Sequence, residues 1–361
     1  MHGRGASPAA RLGLSPTQAL LLQASLLTGD PALRAWQGWR EAADIEVLEP
    51  GAYALMPSLY QNLTRLGVDD PLVSILKGVY KRTWLVNQMA CKRLGQIVQA
   101  FAAKGVTALP LGGLAALLTA YQDPGLRPLN RMVLAVRPSQ LRAAAQAAQE
   151  LGWQPLNQIP ANLRYGGSLQ FKMRQDPGLE LRWRLLPHVF QEEPCRPLWQ
   201  DALPLDFQGM RLTVMQHGDA LFLALADGGW RRDGEPLAWL ADAFHMLRQG
   251  SIDWERVLAR ARALHSANAL RPPLEGLCDL LAAPVPGALS RRLAALSSRP
   301  LDKIYYQAYG APAAAHGDER GFREVFLGKV RLHQNRPLWF VLLTALRQYA
   351  RNLWAGAKRG R

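Results

Sequence analysis

A Gly112-Gly113 turn, an Arg131-x-Val133 pair and a Glu180-x-Arg182-x-Arg184 run are the residues of this chain whose types and spacing bear on anion or phosphate chemistry. Gly112-Gly113 precedes an apolar helical stretch, so backbone amides and the helix dipole could cradle a phosphate there. A tight turn is the simpler reading of the same two glycines. Side chains alternate along a strand, so Glu180, Arg182 and Arg184 share one face and Leu179, Leu181 and Trp183 the other. Arg131 and Val133 likewise share a face. An Asp-x-Asp pair in that spacing would aim two carboxylates at the same metal ions; an arginine and a valine cannot.

The elements that must position these residues follow from the hydrophobic pattern. Val106 to Leu111 reads as a short buried strand, Leu114 to Tyr121 as a helix closed by Asp123-Pro124-Gly125, and Met132 to Val136 as a second buried strand. Ser139 to Leu151 reads as a helix ending at Gly152. Ser168 to Arg174 and Leu179 to Leu185 pair as a hairpin across Gln175 to Gly178. Upstream, Ser15-Pro16-Thr17-Gln18 is a capping-box helix start. Leu55, Leu59, Leu63 and Leu66 repeat at helical spacing, and the pattern from Leu72 to Phe101 predicts one long helix. Residues 14–103 therefore read as an N-terminal helical subdomain of four or five helices, with Trp36, Trp39 and Trp84 as core or interface aromatics. Downstream, a Pro-containing linker (Pro187 to Pro204) leads into helices at Asp219 to Asp227, Glu235 to Gln249 and Asp253 to Ala263. Ala311 to Gly317 is expected to be a flexible loop, and no internal repeat is visible.

The order of these pieces resembles a bacterial family of nucleotidyltransferases found in polysaccharide and peptide-modification loci. The resemblance rests on Ala108 to Gly113, Arg127, Leu134, Leu151-Gly152-Trp153, Leu179 to Trp183 and Trp239-Leu240-Ala241-Asp242, within residues 15–270. It implies an α+β fold, a nucleotidyltransferase-like mixed sheet core over 104–190, flanked by N- and C-terminal helical regions (14–103 and 191–300). It also implies a degenerate site. Gly112 stands for the family's turn lysine, Arg131 and Val133 for its paired aspartates, and Arg182 for its strand histidine; only Glu180 survives as a carboxylate. One carboxylate cannot build a two-metal site, so no catalytic residue, metal or cofactor is expected. Arg131 is expected to take the old metal position and pair with Glu180. That pair either stabilises a dead cleft or, with Gly112, Gly113, Arg127 and Arg182, lines a pocket for a nucleotide or phosphate anion without metal. The alternative is an active enzyme transferring NMP from an NTP with magnesium and relocated acids, of which Asp123, Asp176 and Glu180 lie nearest the cleft.

Composition bounds the partners. The 361 residues are 49% hydrophobic with a net charge of +15, and residues 321–361 carry nine Lys/Arg against Glu324 alone, +8 of that total. Localised positive charge implies an anionic partner or merely solubility. Pro337 to Trp354 reads as an amphipathic helix flanked by Arg336, Arg347, Arg351, Lys358, Arg359 and Arg361, so the region 301–361 is a basic tail. It could lie on an anionic membrane, the reading of a peripheral membrane protein, or dock on the core or a protein partner. No nucleic-acid motif is present. Cys91, Cys195 and Cys278 are distant and odd in number, arguing against disulfides or zinc. The histidines (His188, His217, His245, His265, His333) show no metal spacing. Residues 1–13 lack an apolar segment and are expected as a disordered leader, giving a cytoplasmic, membrane-associated at most, localisation.

Overall fold

The structure, a computed structural model, describes residues 7–45, 47–161, 163, 166–173, 177–189, 191–230, 236–250, 252–297, 303, 306, 326 and 338–359. Five helices come first: α1 (Pro8–Arg11), α2 (Pro16–Leu26), α3 (Gly29–Ala42), α4 (Met56–Arg65) and α5 (Pro71–Ala103). The capping box is formed as its sequence predicts: the Ser15 hydroxyl accepts from the Gln18 amide and the Gln18 side chain from the Ser15 amide. Pro71 sits in the first turn of α5 behind an Asp70 cap, and no later proline interrupts its 33 residues.

The expected disordered leader is a correction over residues 7–13, while residues 1–6 lie outside the described residues. Residues 7–13 include α1, capped by Ser7, and Leu12 fits into the space that Gly276 leaves open by lacking a Cβ. Arg11 ion-pairs with Asp279 and Glu275. Partial burial of Leu12 and these charges hold a short segment that its composition alone would leave free.

A five-stranded mixed sheet follows, ordered β1-β2-β5-β4-β3, from β1 (Ala108–Pro110), β2 (Arg131–Val136), β3 (Gln154–Pro155), β4 (Ser168–Lys172) and β5 (Gly178–Arg182). Only β2 and β5 run parallel, in a register that sets Val133 beside Glu180 and Ala135 beside Arg182. α6 (Gly112–Thr119) and α7 (Leu141–Glu150) connect the strands. One face, with Met132, Leu134, Val136, Leu179 and Leu181, packs on Leu94, Ile97 and Phe101 of α5 and the alanines of α7. The other face carries Val133 and Ala135, which join a larger core shared by the N-terminal helices and the helices after the sheet. The helical regions 14–103 and 191–300 thus bury apolar surface together rather than separately.

The expected linker is instead structured: it contains α8 (Arg196–Gln200) and runs into a hairpin of β6 (Leu203–Phe207) and β7 (Met210–Val214). Then come α9 (His217–Trp230), α10 (Pro236–Arg248), α11 (Trp254–Ala263), α12 (Ala267–Leu281), α13 (Gly287–Ser297) and the terminal α14 (Leu338–Arg359). Pro273 removes the amide that would bond the Ala269 carbonyl inside α12, and Gly229 of α9 packs on that carbonyl with no room for a Cβ. No described helix is long and apolar enough to cross a membrane. Ala311 to Gly317, Asp176, Arg336 and Arg361 lie outside the described residues.

Candidate functional site

Parallel pairing of β2 with β5 brings four charged groups into one line. Arg131 Nη1 lies 2.8 Å from Glu180 Oε2, Arg182 Nε 3.0 Å from Glu180 Oε1, and Arg182 Nη1 3.0 Å from Asp227 Oδ2 of α9. Glu180 is the buried centre, with its side chain 6% exposed, whereas that of Arg131 at the strand edge is 44% exposed. Burial pushes the Glu180 carboxyl up, but the charges and hydrogen bonds of Arg182 and Arg131 outweigh it and hold it below the ordinary carboxylate value. The line alternates in sign, Arg131–Glu180–Arg182–Asp227, and so is neutral overall.

Arg131, Glu180 and Arg182 meet as the alternation predicts. Arg184 does not join them. The strand ends at Arg182, where the amides of Trp183 and Arg184 both turn to the Gly167 carbonyl. Alternation therefore stops before it can place residue 184. Trp183 does face the opposite side, donating its indole N–H to the Leu163 carbonyl at 2.9 Å. Asp227 was missed: 45 residues from Arg182 and inside an apolar helix, it carries no local signal.

Arg127 is engaged elsewhere. Its Nε and Nη2 reach the two Asp242 oxygens at 2.7 and 3.0 Å, a bidentate pair. Asp242 is 2% exposed and also accepts from the Tyr121 hydroxyl at 3.1 Å. Burial opposes the Arg127 charge, yet the Asp242 carboxylate outweighs it and raises its pKa. Gly113 makes room for this pair, since a Cβ there would lie 2.5 Å from Arg127 Nη2, and Gly112 adopts a left-handed φ of 54° at the helix start. The glycines serve the turn and the Arg127 contact. Asp123 is also structural: it accepts the Gly125 amide and the Tyr80 hydroxyl, each at 2.7 Å, at the far end of α6 from the glycine turn. The hydrogen bond to Asp123, with burial, pushes the Tyr80 phenol up to about 12.

The residues do not fit the magnesium that a nucleotidyl transfer site requires. Arg131 and Val133 offer no side-chain oxygen, and both Glu180 oxygens already accept from guanidinium groups. Among the described residues no three His, Cys, Asp or Glu side chains converge as a metal group. His188 bonds the Leu264 carbonyl at 2.6 Å and His217 the Met246 carbonyl at 2.7 Å, in separate places. The three cysteines are unpaired thiols. What the line of charges can offer a ligand is the part of the Arg131 guanidinium left open at its edge.

A family model described as an uncharacterised nucleotidyltransferase matches residues 52–275. The chain is also similar to a solved structure, the crystal structure of an antigenic nucleotidyltransferase-like protein from Paracoccidioides brasiliensis, at 15% identity and a TM-score of 0.32. That alignment covers 58% of this chain and 94% of the other. No curated protein matches. With the match taking in the glycine turn, both central strands and Asp242, the chain belongs to the uncharacterised nucleotidyltransferase family.

Proposed function

We propose that this chain is a pseudo-nucleotidyltransferase, catalytically inactive, serving as a binding or scaffold component in a bacterial biosynthetic locus for an exported polysaccharide or modified peptide. The observation that carries it is the capture of Glu180 by Arg131 and Arg182 where the family's scaffold would hold metal-binding acids. Fixed guanidinium charge can neutralise a phosphate, but it cannot bridge attacking and leaving oxygens as paired metals do. The locus follows from the family resemblance alone. Calorimetry with ATP, CTP, GTP and UTP, each in magnesium and in EDTA, tests the reading. The expected titrations are the same in both, and any binding is lost in Arg131→Ala. Binding tighter than about 100 µM that requires magnesium would overturn it.

An anionic membrane surface is the second reading, for the tail. α14 buries Val341 and Ala345 but leaves Trp339 64%, Leu342 43%, Leu343 47% and Leu346 46% exposed, beside the exposed Arg347. One side of the helix is covered while an apolar strip stays open, and the sequence adds Arg351, Lys358, Arg359 and Arg361 beyond it. Each basic residue close to an anionic bilayer contributes about 1 kcal/mol. Co-sedimentation with phosphatidylserine-containing vesicles is expected, weakened by salt and lost on truncation after residue 335. Equal sedimentation of the truncated chain would refute it.

A further inference from the structure

A cavity of about 370 Å³ opens between α2, α4, the segment after α6 and α10, at the end of α6 opposite the glycine turn. Eleven of its fifteen lining residues are polar or charged, which favours an occupant with polar groups of its own. Ser25 and His245 are among the lining residues, although Ser25 Oγ and His245 Nε2 themselves lie beneath its surface, without a hydrogen-bond partner among the described residues. The ring of His245 lies against Tyr121, with centroids 4.2 Å apart, and burial pulls its pKa down to about 4, so it presents a neutral imidazole.

Charge comes from the rim. Arg65 bonds only Gln61, at 3.5 Å, and Arg248 stacks over the Phe244 ring at 5.6 Å; neither has a carboxylate within ion-pair distance among the described residues. Asp123, the acid of the lining, spends its oxygens on Tyr80 and Gly125. Two guanidiniums with open donors at the mouth and a lining rich in neutral polar side chains are complementary to a molecule with a charged end and a hydroxylated body. The volume lies at the low end of ligand pockets, which limits the occupant to a small metabolite.

We propose that this cavity is a second binding site, distinct from the Glu180 cleft, for a small hydroxylated anion, the charged end at Arg65 and Arg248 and the hydroxyls against the amide side chains of the lining, Gln61, Gln122 and Gln249. The anionic end is a phosphate or a carboxylate, and calorimetry on the full chain with glycerol 3-phosphate, tartrate, inorganic phosphate and glycerol separates the two. Glycerol 3-phosphate or tartrate is expected to bind saturably, the tighter one naming the anionic group. Inorganic phosphate is expected to bind more weakly and glycerol not at all at the same concentrations. Arg248→Gln, a surface change that leaves the fold intact, is expected to weaken binding tenfold or more. No saturable binding of either hydroxylated anion overturns the proposal. So does binding that survives Arg248→Gln and is lost in Arg131→Gln, which would move the ligand to the cleft.

Discussion

Arg127→Met is expected to lower the unfolding free energy by about 3–5 kcal/mol, because it leaves the Asp242 carboxylate buried without its counter-charge. The remaining partner, the Tyr121 hydroxyl, is a neutral donor and cannot replace two charged N–H groups. The pair also joins distant parts of the chain: Arg127 leads into β2, and Asp242 lies on α10 in the core shared with the N-terminal helices. Denaturant titration measures the loss. The double variant Arg127→Met/Asp242→Leu is expected to recover much of it, since replacing both charges with apolar groups of similar size removes the desolvation cost as well. If Arg127→Met costs no more than an ordinary surface change, about 0.5 kcal/mol, the pair does not hold the interface together.

That pair shows where the sequence was legible and where it was not. Arg127 and the Trp239-Leu240-Ala241-Asp242 signature are both visible as residues, yet 115 positions separate the partners and no periodicity connects them. Arg131 with Glu180 was readable, because alternation within two strands leaves only their neighbourhood to be supplied. The β6–β7 hairpin was hidden by Pro204, which speaks against a strand but is tolerated at a sheet edge. Its turn, Gln208-Gly209, has φ of 50° and 76°, the positive pair that two-residue hairpins favour, so Gly209 was the available signal. α12 was concealed by Pro272 and Pro273, a break in isolation, here accommodated where Gly229 packs on the freed carbonyl. Local rules found elements whose signals are local. Tertiary packing decided the rest.

Arg131→Asp/Val133→Asp is expected to create magnesium binding that the native chain is expected to lack. The register places residue 133 beside Glu180 on the parallel strand, and residue 131 shares its face at the open edge. Removing the Arg131 guanidinium also frees Glu180 Oε2, while Arg182, held by Asp227, continues to occupy Oε1. Without metal, the variant is expected to be less stable than the native protein. Two new carboxylates next to Glu180 repel one another and raise each other's pKa, so the destabilisation grows as pH rises and they ionise. A divalent cation relieves that repulsion and binds only the folded arrangement, adding about 2.7 kcal/mol when its concentration is 100 times its Kd. The melting temperature of the variant should therefore climb with millimolar magnesium while that of the native chain stays flat. A folded variant indifferent to magnesium would mean that the backbone itself, and not just two side chains, has departed from a metal-binding geometry. A native chain that responds equally would place its metal ligands outside this line of charges. The expected contrast would show that the backbone of this cleft can hold a metal and that the side chains at 131 and 133 are what keep it from doing so, with the Arg131 guanidinium as the fixed positive charge beside Glu180.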